Sequence, residues 1–203
     1  MASRLRQVAV EHDPLMDKVM PDAAIDACCL IDLLASGDAE AILRASGFTW
    51  QLPSAVQGEV QFRRQHDPAQ PGKTINVPVD LSGMIASGLL TVCSPQSQQE
   101  LDQFTQYATI FRSDGEAMCL ALAQERKWAV ATDDRRAIRV SQQAGLTVVS
   151  CPQLVKAWAV AAGPNQAALN KVLQDIQVLA QFTPNPTMPE YRWWVDEIAK
   201  SSP

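Results

Sequence analysis

The feature that most restricts the fold of this chain is an alternation of short apolar runs with helical patterns. "AAID" (23–26) reads as a short buried strand running into "ACCLIDLLASG", where Leu30, Ile31, Leu33 and Leu34 mark a helix closed by Gly37. "DAEAILRASG" repeats the scheme, with Asp38 as cap and Gly47 as stop. "FTWQLP" predicts a strand, and "SAVQGEVQFRR" a helix in which Ser54 and Gln57 have capping-box spacing. From Gln65 to Pro78 the sequence carries Pro68, Pro71 and Pro78 with little periodicity, which predicts a loop able to act as a flap. "LLTVCS" is a strand candidate and "SQQELDQFTQYATIF" a helix. The helix "EAMCLALAQERK" is apolar on nearly every side from Ala117 to Ala123, so it should lie deep. "WAVAT", "DRRAIRVSQQAG" and "LTVVSC" then predict strand, helix ending at Gly145, and strand.

Elements of these lengths in alternation predict an α/β class: a three-layer α/β/α sandwich around a mainly parallel sheet. Beyond Pro152 the chain turns helical, and Leu169, Val172, Leu173, Ile176, Leu179 and Ala180 form a one-sided apolar stripe. "TPNPTMP" separates this from "EYRWWVDEIAK", whose Trp193 and Trp194 serve either as a clamp on the core or as a protein interface. The expected division is an N-terminal extension (1–21), an α/β domain (22–160) and a C-terminal helical extension (161–203) packed on the domain or on a partner.

Composition narrows the function. At 203 residues, 47% hydrophobic and 19% charged, the chain can bury a substantial core, and large-scale disorder is excluded. A net charge of −5 argues against coating nucleic acid by bulk electrostatics, though it leaves room for a local basic strip. Cys28, Cys29, Cys93, Cys119 and Cys151 lack CxxC spacing and sit mostly in apolar runs, as small buried hydrophobes do in a reducing cytosol. With only His12 and His66, a zinc site or a histidine relay has little to build on. "MASRLRQVAVEHDP" lacks a signal-peptide core, and no apolar stretch is long enough to span a bilayer; the expectation is a cytoplasmic protein away from membranes.

In open parallel sheets, ligands bind outside the carboxyl ends of the strands. Asp26 falls at one such end, and Thr132, Asp133 and Asp134 at another. Glu59, Asp114 and Glu116 fall on neighbouring helices. Singly, each acid has a structural explanation: "SDGE" (113–116) has capping-box spacing, and Asp26, Asp133 or Asp134 would cap a helix. Together, four acids converging on one sheet edge would repel strongly without cations. Mg²⁺ or Mn²⁺ favours carboxylate and water oxygens, and phosphodiester hydrolysis is the chemistry that uses such a cluster. Arg135, Arg136 and Arg139 fall on the polar side of their helix, opposite Ala137, Val140, Ser141 and Ala144. They are either a solvated face or a phosphate-binding strip, which Arg63, Arg64 and Arg112 would extend.

The order "AAIDACCLIDLL", "LPSAVQGEV", "SDGEAMCLALAQERKWAVATDDRRAIRVSQQAGLTVV" resembles the PIN-domain nucleases, of the kind found as VapC-type toxins. The resemblance runs from about residue 22 to 160. It implies a PIN-like fold with Asp26, Glu59, Glu116 and Asp134 as catalytic, metal-holding acids. Glu116 rather than Asp114 stands at the family's distance before the buried Ala123. Asp133 is implied as a further ligand and Thr132 as the hydroxyl of the family's T-x-D signature. Cys28 stands where the family usually has Ser or Asn. The implied activity is a Mg²⁺- or Mn²⁺-dependent endoribonuclease, with Arg135, Arg136 and Arg139 binding the RNA substrate. The implied partners are a cognate antitoxin and, as family members commonly dimerise, a second copy of the chain. Two rival expectations use the same residues: a PIN-like binding module without catalysis, and a structure-specific DNA nuclease.

Overall fold

In β1 (Asp22–Ile25) the buried side chains alternate between two cores, Ala23 and Ile25 on one side and Ala24 on the other. That alternation, which follows from the pleat of a strand, means both faces of the sheet are covered. The computed structural model describes residues 20–200, so the expected N-terminal extension, His12 included, lies almost wholly outside the described residues.

After β1 come α1 (Ala27–Ser36), α2 (Ala39–Ala45), β2 (Thr49–Pro53), α3 (Ser54–Glu59), β3 (Phe62–His66), β4 (Thr74–Pro78), α4 (Ser82–Ala86) and β5 (Leu90–Cys93). The second half holds α5 (Gln98–Ala108), α6 (Asp114–Arg126), β6 (Ala129–Ala131), α7 (Arg135–Gln143), β7 (Val148–Val149), α8 (Cys151–Ala162), α9 (Gln166–Asp175) and α10 (Tyr191–Ala199). A π-helical turn, Ile176–Ala180, continues α9. Five strands form a parallel sheet in the order β5-β2-β1-β6-β7. Ala24 lies opposite Gln51 of β2 and Val130 of β6. β1 is therefore central, with the first half of the chain wound to one side and the second half to the other.

The expected α/β/α sandwich with C-terminal helices is the observed architecture. One core joins Ile25, Trp50, Leu52 and Ala131 to α1, α2, α8 and the C-terminal helices; the other joins Ala24 and Val130 to α5, α6 and α7. The apolar α6 is deep, with Ala117 and Cys119 through Ala123 fully buried. The stripe of α9 is buried at Leu169, Val172, Leu173 and Ile176, packed on α1. Trp194 is fully buried, edge-on to Phe182 at 6.1 Å and to Trp193 at 6.5 Å, so these tryptophans clamp the core. Among the described residues no helix is long and apolar enough to cross a membrane, and all five cysteines are free thiols.

Five local expectations need correction. The helix expected over 54–64 ends at Glu59, and the expected loop is half of an antiparallel hairpin in which Arg64 pairs with Asn76. Asp67 N–H closes its tip by donating to Lys73 O at 2.9 Å. This exposed segment satisfies its backbone groups by pairing with itself, which composition did not signal. Ser54 is the first residue inside α3 and forms no capping box; its hydroxyl instead accepts from Ser94 Oγ at 2.8 Å. Asp38 stands at the N-cap of α2 without a side-chain capping bond, its own N–H donating to Ser36 Oγ at 3.0 Å. Ala144, assigned to the packed side of its helix, is exposed, because α7 gives way after Gln143 to the turn at Gly145.

Arg126, at the end of α6, ties this layer to α5: Nε donates to Glu100 Oε1 at 2.6 Å and Nη2 to Ser94 O at 2.9 Å. The guanidinium holds the Glu100 carboxyl down to about 2 from 4.5. Because the folded-state value is lowered, this stabilisation is complete above about pH 4.5 and disappears as pH falls through 2. Glu100→Gln should therefore cost about 2 kcal/mol at neutral pH. Urea denaturation at a series of pH values should show the two proteins converging only in strong acid.

Candidate functional site

Asp26 is the first residue past β1. Its N–H donates to Ala131 O at 2.9 Å, extending the β1–β6 ladder, while its side chain caps α1 by accepting Ala27 N–H at 2.7 Å. The other carboxylate oxygen accepts Thr132 Oγ1–H at 2.9 Å and Cys28 Sγ–H at 3.1 Å. Asp26 is only 2% exposed. Burial pushes its pKa up, the three hydrogen bonds pull it down, and the charge of Glu59 pushes it up again. The fully buried Thr132 hydroxyl also accepts Asp134 N–H at 3.3 Å, so one hydroxyl fixes both strand-end acids.

Asp134 caps α7, its Oδ1 accepting Arg136 N–H at 2.7 Å and Ala137 N–H at 2.8 Å. Glu59, the last residue of α3, is held from across the chain. Ser113 Oγ–H donates to its two oxygens at 2.8 and 2.9 Å, and Gly115 N–H to Oε1 at 2.8 Å. A Cβ on Gly115 would stand 2.5 Å from Glu59 Oε2, so only glycine admits the carboxylate here. Ser113 also caps α6 by accepting Glu116 N–H at 3.2 Å, which is half of the expected capping box.

Glu116 reports how these groups meet. Its pKa is pushed up to about 7, first by burial and then by the charges of Asp26, Asp134 and Glu59, with Arg136 opposing. The charges of the other three acids expected from sequence thus all bear on Glu116. Phe111, Arg112, Ser113, Glu116, Asp134 and Arg136 line a cleft of about 350 Å³ there, with the Arg136 guanidinium 5.8 Å from the Phe111 ring centre. Asp114 is exposed and outside this cleft, whereas Glu116 is half-buried within it.

Asp133 goes elsewhere. Its two oxygens accept Cys151 N–H, each at 3.1 Å, at the start of α8, and burial pushes its pKa up to about 7. Beside it lies Asp32 of α1, 7% exposed, pushed up to about 8 by burial and by the charges of Asp133 and Asp26. Asp32, Asp133 and Cys151 bring potential ligand atoms within 4.8 Å of one another, the one such trio among the described residues. No three of Asp26, Glu59, Glu116 and Asp134 bring oxygens that close to one another. Asp32 escaped the sequence reading because it is embedded in "LIDLL", where helix periodicity alone explains its neighbours. Ser113 was read as a cap only, and nothing in the sequence linked it or Gly115 to Glu59.

The arginines divide. Arg136 and Arg112 line the acidic cleft, while Arg135 and Arg139 line a separate groove toward the C-terminal segment. Arg63 lines a third hollow with Asp38, Glu40 and Asp80, away from the acids. Neither a scan against protein-family models nor a search of curated proteins found a match to this chain.

Gly115→Ala should destabilise the fold by about 1–3 kcal/mol, since overpacking a filled site displaces what is there. In a Glu59→Ala background, which removes the atoms the new methyl strikes, most of that cost should vanish. Denaturation of the four proteins in the cycle measures the coupling.

Proposed function

We propose that this protein is a PIN-type, divalent-metal-dependent endoribonuclease acting as the toxin of a toxin–antitoxin pair. The observation that carries the reading is the buried Asp26 at the crevice between β1 and β6, where the chain winds to opposite sides of the sheet. There it is fastened to Thr132 and faced by Glu59, Glu116 and Asp134. Ligand sites in open α/β sheets favour such a switch point.

The donor set fits a hard divalent cation. Glu116 and Asp134 line a cleft in which Arg112 and Arg136 are the lining cations, and the pKa of Glu116 is raised first by burial and then by the charges of Asp26, Asp134 and Glu59. Carboxylates too far apart for one tight cage suit Mg²⁺ or Mn²⁺, since Mg²⁺ keeps several of its waters and is held by few protein oxygens. Asp26, Glu59, Glu116 and Asp134 would hold it; when bound, it supplies activation of water and stabilisation of charge on the phosphate oxygens. Thr132 and Cys28 orient Asp26, and Ser113 and Gly115 orient Glu59. Arg136 and Arg112 are placed to bind non-bridging phosphate oxygens, the guanidinium fork matching two at once. Asp133, engaged with Cys151 N–H, supports the start of α8 and is left out of the ligand set. As a toxin the chain would be held inactive by an antitoxin protein, and a homodimer is consistent with the family resemblance.

The test is cleavage of total RNA with Mn²⁺ and mapping of product ends, beside matched RNA and DNA strands. Asp134→Asn should abolish RNA cleavage with an unchanged circular dichroism spectrum. Thr132→Val, which removes only the hydroxyl, should lower metal affinity or activity about 10–100-fold. Cleavage that persists in chelator, or full activity in Asp134→Asn, would refute the assignment. Failure to bind Mn²⁺ in a titration would point to a binding module, and preferential cutting of the DNA strand to a DNA nuclease.

A further inference from the structure

On the side of α7 away from the acids lies a groove of about 660 Å³, walled by α7 and β7 on one side and by the residues 185–189 on the other. Its volume suits a nucleotide-sized ligand. Arg135 and Arg139, one helical turn apart, both line it, neither makes an ion pair among the described residues, and no acidic residue is in its wall. In a chain of net charge −5 this is a local concentration of unpaired positive charge.

Of the three amide side chains in the wall, Gln142, Gln153 and Asn185, the last two are fixed so that they present donors. Gln153 Oε1 already accepts Ser150 N–H at 3.0 Å and Ser150 Oγ–H at 3.1 Å, which leaves its amide NH₂ as the free group. Asn185 Oδ1 accepts Thr187 N–H at 3.0 Å and the Thr187 hydroxyl, again leaving the NH₂. Ile138 and Met188 add apolar surface. Two guanidiniums and two amide NH₂ groups around an apolar floor call for a ligand with an anionic group, carbonyl acceptors and a flat apolar body.

We propose that this groove is a nucleotide subsite for single-stranded RNA. Arg135 and Arg139 hold a phosphate or stack on a base, and the amides of Gln153 and Asn185 donate to base carbonyls. The choice of RNA rests on the nuclease reading; the donor-rich chemistry of the groove does not. α7 then forms a ridge under the strand, with Arg136 facing the acidic cleft and Arg135 and Arg139 facing the subsite. The segment that completes the groove lies in the C-terminal extension, outside the stretch that resembles PIN domains. Because uracil offers a carbonyl oxygen to each of the two amide donors, where adenine offers only ring nitrogens, the subsite should favour uridine over adenosine.

Fluorescence anisotropy with short labelled oligo(U) and oligo(A) RNA, in chelator so that strands stay intact, tests this on the full chain. The wild type should bind oligo(U) several-fold more tightly than oligo(A). Arg139→Ala should weaken both about tenfold, as loss of a phosphate contact does. Asn185→Asp keeps the oxygen that accepts from Thr187 but loses the donor, so it should weaken binding and remove the uridine preference. Wild-type binding and preference in both variants would overturn the subsite, as would tight binding of a polyglutamate peptide with none of RNA. If the variants lose binding while no Mn²⁺-dependent cleavage is ever seen, the subsite stands and the nuclease reading fails. Normal cleavage with unchanged binding by the variants gives the reverse.

Discussion

The bond from Thr132 to Asp26 joins residues 106 positions apart, and the arrangement of the site follows from it. A carboxylate buried at the end of a central strand is costly unless its oxygens are bonded. Here the neighbouring strand end supplies the donor, the following helix supplies a backbone N–H, and Cys28 supplies a thiol. Because β1 and β6 are adjacent and parallel, one hydrogen bond registers the first half of the chain against the second at the point where charge is concentrated.

The same strand end supports two helices. Of its consecutive acids, Asp134 caps α7 and Asp133 accepts from the first N–H of α8. Both placements set a negative group against the positive end of a helix. They lie on different sides, so "TDD" directs one charge to the cleft with Glu116 and the other toward Asp32. Burial first, and then neighbouring acids, raise the pKa values of Glu116 and Asp32 to about 7 and about 8, one on each side. The Glu116 side opens onto a cleft, whereas Asp133 and Asp32 are closed in by α1 and α8.

The parallel sheet and its helices were legible because buried strands and amphipathic helices leave opposite periodicities in the sequence. The positions of the four acids at strand ends and on helices were legible because strand ends and helix starts could be located. Three things were not. The hairpin of β3 and β4 is mostly exposed, so "FRRQH" carries no alternation of buried and exposed residues from which a strand could be read. Adjacent acids in sequence were grouped as Asp133 with Asp134, although successive residues leaving a strand face opposite ways. The cradle for Glu59 depends on Gly115, 56 positions away, and a missing Cβ is not a chemical signal.

The C-terminal helices are a wall of the main core. Leu169, Val172, Leu173 and Ile176 cover α1, and Trp194 is fully enclosed among the same residues. On the ribosome, α1 is made well before its covering, so roughly 130 residues must be added before its apolar face is sheltered. Domains generally fold as units during synthesis. This one has to keep "CCLIDLL" from other partners while those residues are added, a long interval in which a chaperone would find its target.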